Sequence, residues 1–261
     1  YLTSYAGGHP MPSSANVPSV LFNGMIAPLT HLPIKGVIWY QGEGNCARHN
    51  HYPRATPAEY AQAFAAMIRG WREAWGFEVP FIWVQLHGFR ARNDRPEESM
   101  WAEVRDAQRR TLAMRMTGMA SAVDLGDPAG SENHPPNKRP LAERIADVAL
   151  ALVYGHDRPA SGPLPEAVDW RSDGTVAVAW RHAEGLHTTG GPTRGFALSR
   201  GGKPFAWAHT HIRGNTVLVR TLAVNKPDHI RYGWADNPDL NLYNGADLPA
   251  SPFEARRGET I

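Results

Sequence analysis

The sequence predicts an α/β fold, in which a parallel sheet with flanking helices is followed by a small antiparallel β domain. Three observations carry that expectation. Short, apolar, β-rich runs alternate with helical-period segments as far as Gly155. A Pro/Gly-rich stretch, HDRPASGPLP, follows at 156–165. Beyond it, period-two runs separated by turn residues replace the helical spacing. Alternating β and α elements bury their apolar faces best as a parallel sheet covered by helices, whereas clustered short strands favour antiparallel pairing. The expected organisation is therefore an α/β domain over 1–155 and a sandwich-like β domain over 156–261.

Each element has its own reason. IKGVIWY (34–40) follows Pro33 and reads as a buried strand, and a polar loop, QGEGN, comes next. Thr56-Pro57-Ala58-Glu59 is a capping box with Pro at the first helical position. Tyr60, Phe64, Met67, Ile68, Trp71 and Trp75 then recur at helical spacing, and Gly76 supplies a stop. PFIWVQL (80–86) is a second strand, and Trp101, Val104 and Leu112 mark a second helix. GMASAVDL (118–125) is a third strand. Pro140 opens a third helix through Leu141, Ile145, Val148 and Leu152, with Gly155 beyond it. In the second half, TVAVAW, GFALSR, TVLVRT and HIRYGW alternate as strands, with turns at Asp173-Gly174 and Arg213-Gly214-Asn215.

Composition narrows the function classes. The chain is 42% hydrophobic and 20% charged, with a formal net charge of +2 and no basic run, so nucleic acid is not an expected partner. No apolar stretch approaches the roughly 20 residues that span a bilayer, and no membrane partner is expected. The single cysteine, Cys46, excludes an internal disulfide. Cys46, His49 and His51 lie close in sequence but lack a second ligand pair at zinc spacing. No metal or cofactor is expected. The nine Trp are mostly packing residues, and some are compatible with a sugar-facing surface.

In an open α/β sheet, ligands bind beyond the carboxyl ends of the strands. Three loops qualify. The first carries Gln41, Glu43 and Asn45, the second His87, and the third Asp127, Ser131, Glu132 and His134. A histidine oriented by a carboxylate is the base half of an acyl-transfer site, and amides can stabilise an oxyanion. On these residues alone, solvated loop histidines remain the competing reading.

LFNGMIAPL (21–29), GVIWYQGEGN (36–45), FIWVQL (81–86), VDLGD (123–127), HPPNK (134–138), RYGWADNP (231–238) and NLYNGADLPASPF (241–253) occur in that order. Together they resemble the sialate O-acetylesterase family of SGNH-type hydrolases, over nearly the whole chain. The resemblance implies an SGNH- or flavodoxin-like sheet and serine-esterase removal of acetyl groups from sugar hydroxyls, with an acetylated carbohydrate as partner. It implies His134 as general base, Gln41 in the oxyanion hole and Glu43 as the carboxylate that orients the histidine. It further suggests Asn23, Asn45 and Gln85 as substrate-binding residues, and a secreted or periplasmic location.

Two departures stand out. Where the superfamily often has Asp three residues before the histidine, this chain has Ser131, which leaves Glu43, Glu132 or a dyad as alternatives. The family's GQSNM-like serine motif is absent. Ser13 and Ser14, in MPSSAN, lack its Gly-Gln lead. The chain is accordingly expected to need an N-terminal segment or subunit to complete its site, and its sheet to carry an unprotected edge. An acetylxylan or hemicellulose acetylesterase, and a non-catalytic glycan-associated fragment, remain the alternative readings.

Overall fold

The computed structural model describes residue 17 and residues 19–46, 56–127, 129, 131, 134–135, 137–202 and 204–261. Ser13, Ser14, His49, His51 and Glu132 lie outside the described residues.

The first part is a three-stranded parallel sheet in the order β1 (Val37–Trp39), β2 (Phe81–Gln85), β3 (Thr117–Ser121). It is covered by α1 (Pro57–Trp75), α2 (Met100–Thr111) and α3 (Arg139–Tyr154). The capping box of α1 forms as its sequence requires: the Glu59 amide donates to Thr56 Oγ1 at 3.3 Å and the Thr56 amide to Glu59 Oε2 at 2.6 Å. Gly76 and Gly155 close α1 and α3 in the left-handed conformation. The segment before β1 is a π-helix, Phe22–Ile26, followed by a 3₁₀ turn, Ala27–Leu29.

Strand β2 is apolar without alternation because both of its faces are covered. Phe81 and Trp83 pack with Phe64, Ile68, Trp101 and Val104 on one side, and Ile82 and Val84 with Leu141 and Val148 on the other. Among the described residues, β1 has a strand neighbour on one side only, and Ile38 is 61% exposed. Strand β3 ends at Ser121, four residues before the apolar run predicts. Gln85, its last partner, is where β2 leaves the sheet, and one more bond, from the Ala122 amide to the Gln85 carbonyl at 3.0 Å, closes the ladder. Leu125 then turns back on Ala122.

The second part begins with β4 (Leu164–Trp170) and β5 (Val176–Arg181), then β6 (His187–Thr188), β7 (Phe196–Ser199), β8 (Ala206–Trp207) and β9 (His209–Arg213). It continues through β10 (Thr216–Arg220), β11 (His229–Tyr232), β12 (Leu242–Tyr243) and β13 (Phe253–Arg256). Two four-stranded antiparallel sheets, β4-β5-β10-β9 and β13-β11-β7-β8, enclose one core. Trp180 of the first sheet sits edge-on to Tyr232 and Phe253 of the second, at 5.6 and 5.5 Å. The β4–β5 and β9–β10 hairpins turn at Asp173-Gly174 and Gly214-Asn215, with φ of +84° at Gly174 and +56° at Gly214. The four strands legible as alternating runs are β5, β7, β10 and β11, the inner strands of the two sheets.

Candidate active site

The three loops predicted to face a ligand come together at one side chain, Tyr40, the first residue beyond β1. Its hydroxyl lies 3.5 Å from His87 Nδ1, in the loop after β2. The Lys138 ammonium stands 5.1 Å from the centroid of its ring, from the segment after β3 that also carries His134. Burial, and secondarily the negative charge of Glu43, push the Tyr40 phenol up to about 12. Near neutral pH it is therefore an uncharged hydrogen-bonding group.

Helix α2 holds the first two loops. Gln108 accepts the Leu86 amide at 3.1 Å and donates to the Gln41 carbonyl at 3.3 Å. Gly42, at φ +146°, lies so close that an added Cβ would meet Leu86 at 3.1 Å and the Gln108 amide at 3.3 Å. The fully buried Arg105 donates to the carbonyls of Leu86 (2.8 Å), His87 (2.6 Å), Ala235 (2.8 Å) and Asp236 (2.7 Å). Burial lowers its pKa to about 10, which still leaves it protonated near neutrality. Arg105 thus ties the loop after β2 to the RYGWADNP segment of the β part.

Asn237 in that segment completes the frame. Its Nδ2 donates to the Arg90 carbonyl at 2.8 Å and the Asp127 carbonyl at 3.2 Å, joining the loops after β2 and β3. Those loops touch where a Cβ on Gly126 would collide with the Gly88 carbonyl oxygen. Arg144 of α3 adds a two-pronged bond to Asp124 (2.6 and 2.9 Å) and a bond to the Ser121 carbonyl at 2.7 Å.

The nominated residues divide accordingly. Gln41 and Asn45 meet directly: Gln41 Nε2 donates to Asn45 Oδ1 at 2.7 Å, which leaves one amide hydrogen of Gln41 for another acceptor. Asn45 thereby holds Gln41 in place. Glu43 opens a 3₁₀ turn, Glu43–Asn45, beside them. His134 is exposed on its loop. Ser131 does not serve the histidine, because its hydroxyl donates to Asp127 Oδ2 at 2.5 Å. That bond, followed by the Ala129 and Ser131 amides, holds the Asp127 carboxyl below its usual range. Asn23 is exposed on the π-helix.

Two of the residues singled out in the sequence lie inside the protein. Gln85, expected at the substrate, spends its amide on protein partners. Its side chain is fully buried, with Nε2 on the Arg105 carbonyl (3.2 Å) and Ser251 Oγ (2.7 Å), and Oε1 accepting from Ser121 Oγ (2.8 Å). No hydrogen of its amide is left to meet a ligand. His87, read as a loop histidine, is also fully buried, with its ring 5.7 Å from that of Trp101.

The sequence reading missed Arg105, Gln108, Asp124, Asn237 and Tyr40 as the frame. For Arg105 and Gln108 a signal exists. They fall four and seven residues after Trp101, on the stripe that Trp101 and Val104 define, so a cation and an amide occupy a buried helix face. Polar groups buried in that way are there to bond backbone or loops.

A family profile described as "carbohydrate esterase, sialic acid-specific acetylesterase" matches residues 7–150. Sialate O-acetylesterase of Rattus norvegicus is 30% identical over 266 residues, covering 91% of this chain and 47% of the rat protein. The Homo sapiens counterpart is 35% identical over 167 residues, 58% of this chain and 30% of its own length. A carbohydrate acetylesterase from Xanthomonas citri, known from its crystal structure, superposes with a TM-score of 0.82 at 39% identity, over 90% of this chain and 53% of that one. The chain thus spans about half the length of the rat and Xanthomonas citri proteins.

Proposed function

Because this chain belongs to the sialic acid-specific acetylesterase family of carbohydrate esterases, we propose that it supplies the acid–base and oxyanion side of a serine-type carbohydrate O-acetylesterase. The convergence of three strand-end loops on Tyr40 supports this reading most directly. It gathers the QGEGN turn and the HPPNK segment at the edge of the sheet where α/β folds carry their chemistry.

In this proposal His134 takes the proton as a serine hydroxyl adds to the acetyl carbonyl, and returns it to the departing sugar oxygen. Imidazole is suited to both steps because it titrates near neutrality. The free amide hydrogen of Gln41, aimed by Asn45, donates to the oxyanion as the carbonyl becomes tetrahedral. Water then hydrolyses the acetyl-serine, with His134 again the base. The serine itself belongs to a GQSNM-like motif, and none of the residues assigned here takes its place. Glu43 is the carboxylate that stabilises the imidazolium, a role supported by the effect of its charge on the Tyr40 phenol.

The test is acetate release from O-acetylated sialic acid by the intact protein, with acetylated xylan as the comparison substrate. His134→Ala should lower kcat by at least about 10³-fold. Its melting temperature should stay unchanged, since the ring is exposed. Glu43→Gln should lower turnover far more than Ser131→Ala. A folded His134→Ala protein that keeps more than roughly a tenth of the activity would remove His134 from the role of base.

A further inference from the structure

A cavity of about 310 Å³ opens between the loop after β2 and the β part. Trp207, Trp234, Arg92, Arg194, Asp239 and Asn237 line it, whereas Tyr40, Gln41, Glu43 and His134 do not. Its volume is at the lower end of the range of small-molecule sites.

Three features give the cavity a chemistry. Trp207 is 44% exposed, yet its indole N–H is bound to the Asp94 carbonyl at 2.9 Å. An exposed aromatic face is thereby held in one orientation, at small entropic cost to a ligand that stacks on it. Arg92 and Arg194 both grip Asp239, through Oδ1 at 3.0 Å and Oδ2 at 2.7 Å. Two cations against one anion leave the lining with a formal surplus of one positive charge. Each guanidinium has five N–H donors, so donors remain on both after Asp239 is satisfied. These ion pairs are exposed and individually weak, so an incoming carboxylate can share them.

We propose that this cavity binds a pyranose ring carrying one carboxylate, its C–H face stacked on Trp207 and its carboxylate on Arg92 and Arg194. A sugar ring combines an apolar C–H face with a rim of hydroxyls, which suits a rigid indole beside a charged arch. Asn237 lines the cavity and also bonds the loops after β2 and β3, so a glycan held there lies against the frame of the ester site.

Isothermal titration of the intact protein with methyl β-D-glucuronide and methyl β-D-glucoside tests the assignment. Neither probe has an acetyl ester, so binding is read without turnover, and its outcome is independent of the proposed esterase activity. The glucuronide should bind with one site per chain, and the glucoside roughly tenfold more weakly, the scale of a lost charge-assisted hydrogen bond. Trp207→Ala should weaken glucuronide binding roughly tenfold. Arg194→Gln, at an exposed side chain, should bring the glucuronide down to the affinity of the glucoside. His134→Ala should bind both probes like the wild type. Absence of glucuronide binding would overturn the proposal. So would equal affinity for the two sugars, or wild-type affinity in either Trp207→Ala or Arg194→Gln. If Trp207→Ala melts early, Arg194→Gln decides.

Discussion

The ammonium of Lys138 lies 5.1 Å from the centroid of the Tyr40 ring, so the HPPNK segment after β3 is fastened to the WYQGE segment after β1 across the whole width of the sheet. A cation over an aromatic face at a partly exposed site contributes about 0.5–1 kcal/mol. Lys138→Ala and Tyr40→Leu should therefore each destabilise the protein. In a double-mutant cycle by urea unfolding, their coupling should be about 0.5–1 kcal/mol. A coupling indistinguishable from zero would mean that the two loops are held together by other contacts alone.

Tyr40 also predicts a pH dependence. Its folded pKa is raised to about 12 from the ordinary 10.0. Between those values the unfolded chain gives up the phenol proton and the folded protein keeps it, so this group opposes unfolding below pH 10 and loses that contribution as pH rises towards 12. Ultraviolet titration of tyrosinate should show one fewer late-titrating tyrosine in Tyr40→Phe. The fall in stability above pH 10 should be shallower in that variant than in the wild type. An unchanged titration curve would place the late tyrosines elsewhere.

Arg105 bonds four carbonyls on two segments more than a hundred residues apart. Arg105→Met would strip their donor from carbonyls that stay enclosed, and should cost at least about 3 kcal/mol of unfolding free energy. Arg105→Lys keeps the charge but has no planar fork, and should recover only part of the loss. In both variants, hydrogen exchange should quicken in the loop after β2 and in residues 233–237 before it does in β2 itself. Uniform exchange across the sheet would argue against a clamp local to the loops.

Gln85 separates packing from substrate contact. Gln85→Leu leaves Ser251, Ser121 and the Arg105 carbonyl short of their partner and should destabilise by about 2–3 kcal/mol. KM for an acetylated sugar, measured below the lowered melting temperature, should stay within about twofold of wild type, since a uniform binding contact is not what is being removed. A large rise in KM with unchanged stability would restore Gln85 to the substrate.

What could be read from the residues alone follows from local physics. The capping box at Thr56, the glycine stops at Gly76 and Gly155, and the turns at Asp173-Gly174 and Gly214-Asn215 are short-range devices that need no partner, and each stands where its sequence places it. The inner strands β5, β7, β10 and β11 were legible because each sends two or three large apolar side chains, spaced two apart, into the shared core. The edge strands β4, β9 and β13 carry residues such as Pro165, His209, His211 and Glu254 and send fewer large apolar side chains into the core, so they read less plainly as strands. The motifs likewise pointed to Gln41, Glu43 and His134, but not to what holds them. That was decided by tertiary structure, through contacts between residues far apart in sequence: Lys138 on Tyr40, Asn237 on Arg90 and Asp127, and Arg105 on Ala235 and Asp236. A buried arginine or amide and a solvated one look alike in sequence. Only the fold determines which of them is deprived of water and must find its partners within the protein.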